Sequence, residues 1–270
     1  MSFKNLLKIL FHFFLFLWLT LLTQIGGLIY ILSRSLISTK KKKHLIKRFS
    51  IFVLLYVTST FLIVPSIAPF FGRVKIEDSH NLTTHNFVTK LCNRNYVTPK
   101  LHDVLTNVSL KVNKEYPDIK VMYLDANFPF FDGFPLLPHL SHNDGKKIDI
   151  SFVYEDDRGK ITNLKPSNSG YGIFEEPKSG EANQTKKCKE NGYWQYDFTK
   201  YFTFGNPYKN LKISEKATKT IIHIILKNNN VNKLFIEPHL KIRLNLKDKR
   251  IRFHGCQAVR HDDHIHFQIQ

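Results

Sequence analysis

Acid is missing from the first quarter of this chain: residues 1–71 contain no Asp or Glu but hold nine of the 40 Lys and Arg. Half of the formal charge of +18 therefore sits in that segment, and 31 basic and 22 acidic residues follow it. Charge placed this way reports on membrane topology and excludes reading the whole excess as a nucleic-acid groove. No recognised nucleic-acid-binding motif occurs, so no nucleic acid is expected among the partners. The surplus beyond residue 71 suits either long-range attraction to an anionic polymer such as a cell wall or an ordinary basic surface. Cysteine is also scarce. Cys92, Cys188 and Cys256 are too few for a disulfide-scaffolded protein, and none has the CxxC spacing of a structural zinc site. In an oxidising compartment two would pair and one stay free, and the sequence does not say which. Nothing marks Cys256, near His261, as an activated nucleophile, so a buried or bridged cysteine is expected.

What fills the N-terminal segment is apolar. Residues 9–32 carry no charge between Lys8 and Arg34, and a second apolar run covers residues 49–71. About 20 such residues cross a bilayer as a helix. The intervening residues, about 33–48, hold Arg34, Lys40, Lys41, Lys42, Lys43, Lys47 and Arg48. Lys and Arg favour the cytoplasmic side. The expectation is a two-helix transmembrane hairpin over residues 1–71, with everything after Gly72 on the far, periplasmic side of the inner (cytoplasmic) membrane. No small-residue cleavage site is evident, which favours an anchor over a removed signal peptide. His12 and Gln24 are rare types in lipid and mark either a helix partner or tolerated polar residues.

Residues 72–118 read as a polar membrane-proximal segment, with a helix within residues 97–112 where Leu101, Val104, Leu105 and Val108 recur at helical spacing. Residues 119–124 read as a strand. Phe128, Phe130, Phe131 and Phe134 follow, as core filling or as the lining of a peptide cleft. Residues 156–189, rich in Gly, Ser, Asn and Lys, read as a long surface excursion that could wall a substrate groove. Ser214 is placed to N-cap a helix with Ala217, Ile221, Ile224 and Ile225 on its apolar face. Residues 234–236 and 250–253 read as short strands. Helices beside a mostly antiparallel sheet make residues 119–270 an α+β domain.

Two stretches carry chemistry. In residues 148–153, Ile148, Ile150 and Phe152 alternate with Asp149, Ser151 and Val153, so the isoleucines can face a core while Asp149 faces away. His142 precedes Asp149 by seven residues, across a turn built on Asn143, Asp144 and Gly145. In the last residues, Ile265, Phe267 and Ile269 alternate with His264, His266 and Gln268, so two histidines project from one face. One Asp and two His with an open position form a ligand set suited to catalytic Zn2+.

The patterns Ser141-His142-x-x-Gly145-x-x-x-Asp149 and His264-x-His266 resemble those of the LAS metallopeptidases, the group of lysostaphin-type and D-Ala-D-Ala peptidases and hedgehog domains. The words Pro138-His139-Leu140-Ser141-His142 and His261-Asp262-Asp263-His264-Ile265-His266 are most similar to those of the penicillin-insensitive murein endopeptidases. The resemblance covers roughly residues 121–270. It implies the LAS-type α+β fold, with His142, Asp149 and His266 as zinc ligands and His139 as a possible ligand of a second metal, or else a hydrogen-bonded loop histidine. It implies that His264 acts as general base or oxyanion stabiliser and that His261 assists at the rim. Other branches use a Glu three residues before the last ligand; Asp263 stands there and is the alternative base. Arg260 is either a substrate-carboxylate binder or an exposed arginine. His239 and His254 lack motif partners and read as surface or core residues.

The expected function is that of a membrane-anchored zinc metallopeptidase cutting peptide bonds in peptidoglycan stems or cross-bridges, as a murein DD-endopeptidase does. A D,D- or L,D-carboxypeptidase of the same fold and a non-catalytic zinc-containing wall-binding module are the alternatives. No SxxK nucleophile motif occurs in the exported part, so serine-directed β-lactams are not expected to inhibit it.

Overall fold

The computed structural model describes residues 2–38 and 43–270. Packing divides the chain into two compact units. The first comprises Met1–Ile76, Val88–Pro99 and Asn127–Gly145; the second comprises Glu77–Phe87, Lys100–Ala126 and Lys146–Gln270.

The first unit begins with helix α1 (Phe3–Thr23), whose N-cap Ser2 accepts a bond from the Asn5 N–H. The chain then reverses at Gln24, which takes a positive φ of 64°, and re-enters helix as α2 (Gly26–Leu36). The Thr23 hydroxyl accepts from the Gly26 N–H at 2.8 Å, fixing the turn. Glycine is required at position 27 because a Cβ there would lie 2.0 Å from Thr20 Oγ1 and 2.6 Å from the Phe16 carbonyl. Helix α3 (His44–Thr58) continues through a wide π turn, Ser59–Ile63, then Val64–Ile67 and a tighter turn, Ala68–Phe71. Pro65 lacks the N–H that a regular helix would donate to the carbonyl four residues earlier, and the widened turn just before it accommodates that gap.

Two stretches, Phe3–Thr23 and His44–Phe71, are long and apolar enough to cross a membrane. The expected single helix over residues 9–32 is corrected. Gln24 and the glycine pair split that run, and α2, with 11 residues, spans only about 16 Å, about half a bilayer core. Among the described residues the segment keeps the two candidate spans expected, with the short α2 between them. Lys40, Lys41 and Lys42 lie outside the described residues. Of the basic residues around them, Arg48 donates from Nε and Nη2 to the Ile37 carbonyl and from Nη2 to the Arg34 carbonyl, closing the α2–α3 connection. Both polar residues of the first run have partners. His12 Nδ1 lies 2.5 Å from Tyr30 Oη, and Gln24 Oε1 accepts the Phe130 N–H at 3.2 Å.

The second unit is built on a six-stranded mixed sheet of β1 (Leu82–Thr84), β2 (Val121–Asp125), β3 (Lys147–Ser151), β4 (Val231–Phe235), β5 (Ile251–Arg252) and β6 (His264–Ile269). Their spatial order is β5-β4-β6-β3-β2-β1, with parallel pairs at both edges and antiparallel pairs in the middle. The C-terminal strand therefore lies in the sheet's interior, between β4 and β3. Helices α4 (Pro99–Glu115) and α6 (Glu215–Leu226) have the apolar faces that their spacing implies, and α5 (Gln184–Glu190) and α7 (Pro238–Arg243) are short. The α+β class holds, and the strand pairing is mostly antiparallel, with parallel pairs at the two edges of the six-stranded sheet.

Ser214 occupies the N-cap of α6 through its backbone: its carbonyl accepts from Thr218 at 2.9 Å, and its side chain makes no capping bond. At the other end Arg250 donates to the carbonyls of Asn228 and Val231 and to that of Leu226. A guanidinium satisfies the orphaned carbonyls of a helix C-terminus and complements its dipole. Residues 156–189 run largely over the surface, as expected, but with ordered and buried parts. They include the strand Ile161–Thr162 and α5, and Lys165, Ser167 and Tyr171 within them are buried. Cys188 of α5 is disulfide-bonded to Cys256, which leaves Cys92 outside the bridge.

Candidate metal centre

Strand register assembles the site. On β6, His264 and His266 are two residues apart and share a face, while Ile265 and Phe267 point the other way into the core. The antiparallel β6–β3 pairing sets His266 opposite Asp149 and His264 opposite Ser151. Directly opposed side chains on one sheet face lie about 4.5–5.5 Å apart at Cβ, close enough to bond. His266 Nδ1 accordingly lies 2.8 Å from Asp149 Oδ1. The second carboxylate oxygen, Oδ2, accepts from the Tyr171 hydroxyl at 2.8 Å.

His142, Asp149 and His266 are all buried, and each offers a ligand atom within 4.8 Å of the others. Two imidazoles and a carboxylate out of bulk water are the donor chemistry of a site for zinc or a related divalent ion. His139 is buried too, with its ring centroid 5.6 Å from that of His142.

His264 stands beside this group, its Nε2 3.7 Å from Asp149 Oδ1 and its Nδ1 bonded to Asp263 Oδ1. Asp263 Oδ2 accepts the Gly172 N–H at 2.6 Å, so both oxygens of that carboxylate are engaged. The Tyr171 ring meets the His264 ring edge-on at 5.0 Å. Burial by itself lowers the pKa of His264, but the charges of Asp149 and Asp263 outweigh it and raise the value to about 9. His261 is buried where a rim position was expected, with its ring 4.8 Å from that of His264. Burial, with the positive charge of the neighbouring histidines, drives its pKa well below the usual imidazole value, which keeps it neutral.

Beneath these histidines lies a buried polar layer. Glu237 Oε1 accepts from the His261 N–H at 3.0 Å and from the Tyr196 hydroxyl at 2.5 Å. Arg260, expected on the surface or at the substrate, is instead buried. Its fork grips Asp262 through Nε and Nη2, Nη1 reaches Glu176 at 3.0 Å, and the guanidinium lies over Phe174 at 3.9 Å. Its planar fork on Asp262 holds the 260–263 turn. His239 is a core residue, its Nε2 2.7 Å from the Glu175 carbonyl.

Sequence reasoning missed Tyr171, the Gly172 N–H, Glu237 and His254. His254 stacks on Phe235 at 4.2 Å and lies 5.1 Å from His261 and 5.8 Å from His266, so it borders the site. The one usable signal for Tyr171 is its place between Gly170 and Gly172. Both glycines have positive φ, and a Cβ on either would meet a neighbour at 2.3–2.4 Å. No family model matches this chain, and no curated protein matches it either.

Two outcomes follow from this geometry. Tyr171→Phe removes the hydroxyl that orients Asp149, and loss of such an outer partner typically weakens metal affinity about 10–100-fold. A chelator-competition titration of zinc against wild type and variant, with unchanged circular dichroism, measures it. For metal-free protein, the raised His264 pKa adds stability that is complete below about pH 6.5, the unfolded value, and disappears as pH climbs through about 9. The gap in urea stability between wild type and His264→Gln is therefore expected to be widest near pH 6 and to narrow steadily toward pH 9.

Proposed function

We propose that this protein is a membrane-anchored zinc peptidase of the LAS type that hydrolyses peptide bonds in peptidoglycan stems or cross-bridges. The observation that carries the reading is the buried His142–Asp149–His266 donor set with His264 alongside, held by Asp263. These are the positions, in the order and spacing, that resemble the murein endopeptidases. The two candidate spans and the basic residues Arg34, Lys43, Lys47 and Arg48 at the α2–α3 connection support an anchor in the cytoplasmic membrane with that connection inside. The peptidase then faces the periplasm, where peptidoglycan is found.

His142, Asp149 and His266 would hold the metal. Zinc, when bound in such a site, polarises a carbonyl and lowers the pKa of its water from 15.7 to about 7. The remaining work falls to the chain. Asp263 bonds Nδ1 of His264, which fixes the ring and leaves Nε2 as the atom that takes or gives a proton. The same carboxylate stabilises the imidazolium form, so His264 can also meet a developing oxyanion as a cation. Asp263 has both oxygens occupied by Gly172 and His264, which favours His264 over Asp263 as the proton-transfer group. His261, neutral and anchored through Glu237, can donate a hydrogen bond beside it.

The test uses full-length, zinc-loaded protein with purified sacculi and cross-linked muropeptides, the products being followed by mass spectrometry. Conversion of cross-linked dimers to monomers is expected. His264→Ala should lower turnover about 10²–10⁴-fold while zinc stays bound. His142→Ala should lose zinc and activity together. Removal of only a terminal residue would move the assignment to a carboxypeptidase, and intact substrates with folded, zinc-loaded protein would favour a binding module.

A further inference from the structure

The long helix that starts with α3 gives a depth scale within the first unit. From Arg48 to Phe71 it rises about 35 Å, close to the ~30 Å of a hydrocarbon core. The α1–α2 turn lies at the far end of this helix, where Ile25 packs against the cluster of Val64, Ala68 and Tyr96 in and beside its last two turns. Beside that turn lies the loop of residues 127–145. Phe130 joins the same buried cluster as Val64, Ala68 and Tyr96, and its N–H is held by Gln24 Oε1. Phe71 then meets Phe130 at 5.0 Å and Phe131 at 5.4 Å. Arg73, just past the helix, pairs with Asp132 of the same loop.

The outer surface of this assembly is apolar without a break in sequence from the candidate span. Phe70 is 87 % exposed at the helix end, Phe71 remains partly exposed, and Phe131 is 63 % exposed beside it. Leu137 and Leu140 are exposed on either side of His139 in the same loop. Large aromatics left in water at the end of a membrane helix are costly, and interfacial aromatics are characteristic of a headgroup-level position.

We propose that the loop of residues 127–140 rests in the outer interfacial layer of the bilayer, with Phe131 in contact with lipid next to Phe70 and Phe71. The partner of this surface is the lipid bilayer itself, because the patch continues the lipid-facing side of the spanning helix. The loop that carries His139 and His142 is then held at the membrane surface. This rests on the membrane-anchor reading above, and the test separates the two.

Two single-tryptophan forms of the full-length protein, each restored to vesicles, carry the comparison, with unbrominated phosphatidylcholine as the baseline. One keeps only Trp18 in α1, and one combines Phe131→Trp with both native tryptophans changed to Phe. Phosphatidylcholine brominated near the headgroup or deep in the acyl chain quenches indole emission on contact. The expected result is loss of emission from the reporter at position 131, larger with the shallow bromines, with Trp18 quenched as well. If Trp18 is quenched while position 131 keeps its baseline emission, the loop is in water and the inference falls, leaving the anchor intact. If Trp18 is not quenched either, the anchor reading fails and takes the inference with it.

Discussion

Burying an ionised carboxylate costs several kcal/mol unless charge or hydrogen bonds replace the lost water, and Asp149 is fully buried. The rest of the site can be understood as the set of groups that make this tolerable. His266 serves one oxygen and Tyr171 the other. His266 is available because the C-terminal strand is inserted between β4 and β3, in a register that sets it opposite Asp149. Tyr171 is available because two glycines with positive φ let the chain turn tightly beneath the sheet. Removing either support takes a hydrogen bond from a buried charge, so metal affinity and local order would depend on the same few bonds.

A second buried charge follows from the first. Asp263 holds His264, and the turn that carries it is secured by Arg260 on Asp262 and by Glu237 on the His261 N–H. Asp149 and Asp263 together raise His264 against the effect of burial, while His261 is lowered by burial beside the other histidines. Two imidazoles three residues apart are thus driven to opposite protonation states. That separation is what a proton-transferring pair requires near neutral pH. Members of the polar layer hold one another through hydrogen bonds, and such networks fix the geometry of the groups they carry.

The sequence made the strand-borne part of this site legible because side chains on a strand alternate with a period of two. Asp149 among isoleucines, and His264 with His266 among Ile265 and Phe267, can be read without any knowledge of pairing. The β3–β6 register could not be read, since it depends on contacts more than 100 residues apart. Tyr171 and Glu237 were invisible for the same reason: their meaning lies in the partner they reach across the fold. Arg260 was misread because arginine is usually exposed, and only a buried carboxylate such as Asp262 makes its burial affordable. At the N-terminus, hydropathy identified the apolar runs but not the reversal at Gln24, because Gly26 and Gly27 look innocuous within an apolar run. Their role is steric, and it appears only when α2 lies against Thr20 and Phe16.

The central claim is that His142, Asp149 and His266 form one metal site. X-ray absorption spectroscopy on full-length protein loaded with a single equivalent of zinc addresses it most directly. The account predicts a zinc shell of nitrogen and oxygen donors near 2.0–2.2 Å with the multiple-scattering signature of imidazole and no sulfur. That imidazole signature should weaken in His266→Ala. A shell containing sulfur, or one unchanged by His266→Ala, would place the zinc elsewhere and contradict the account.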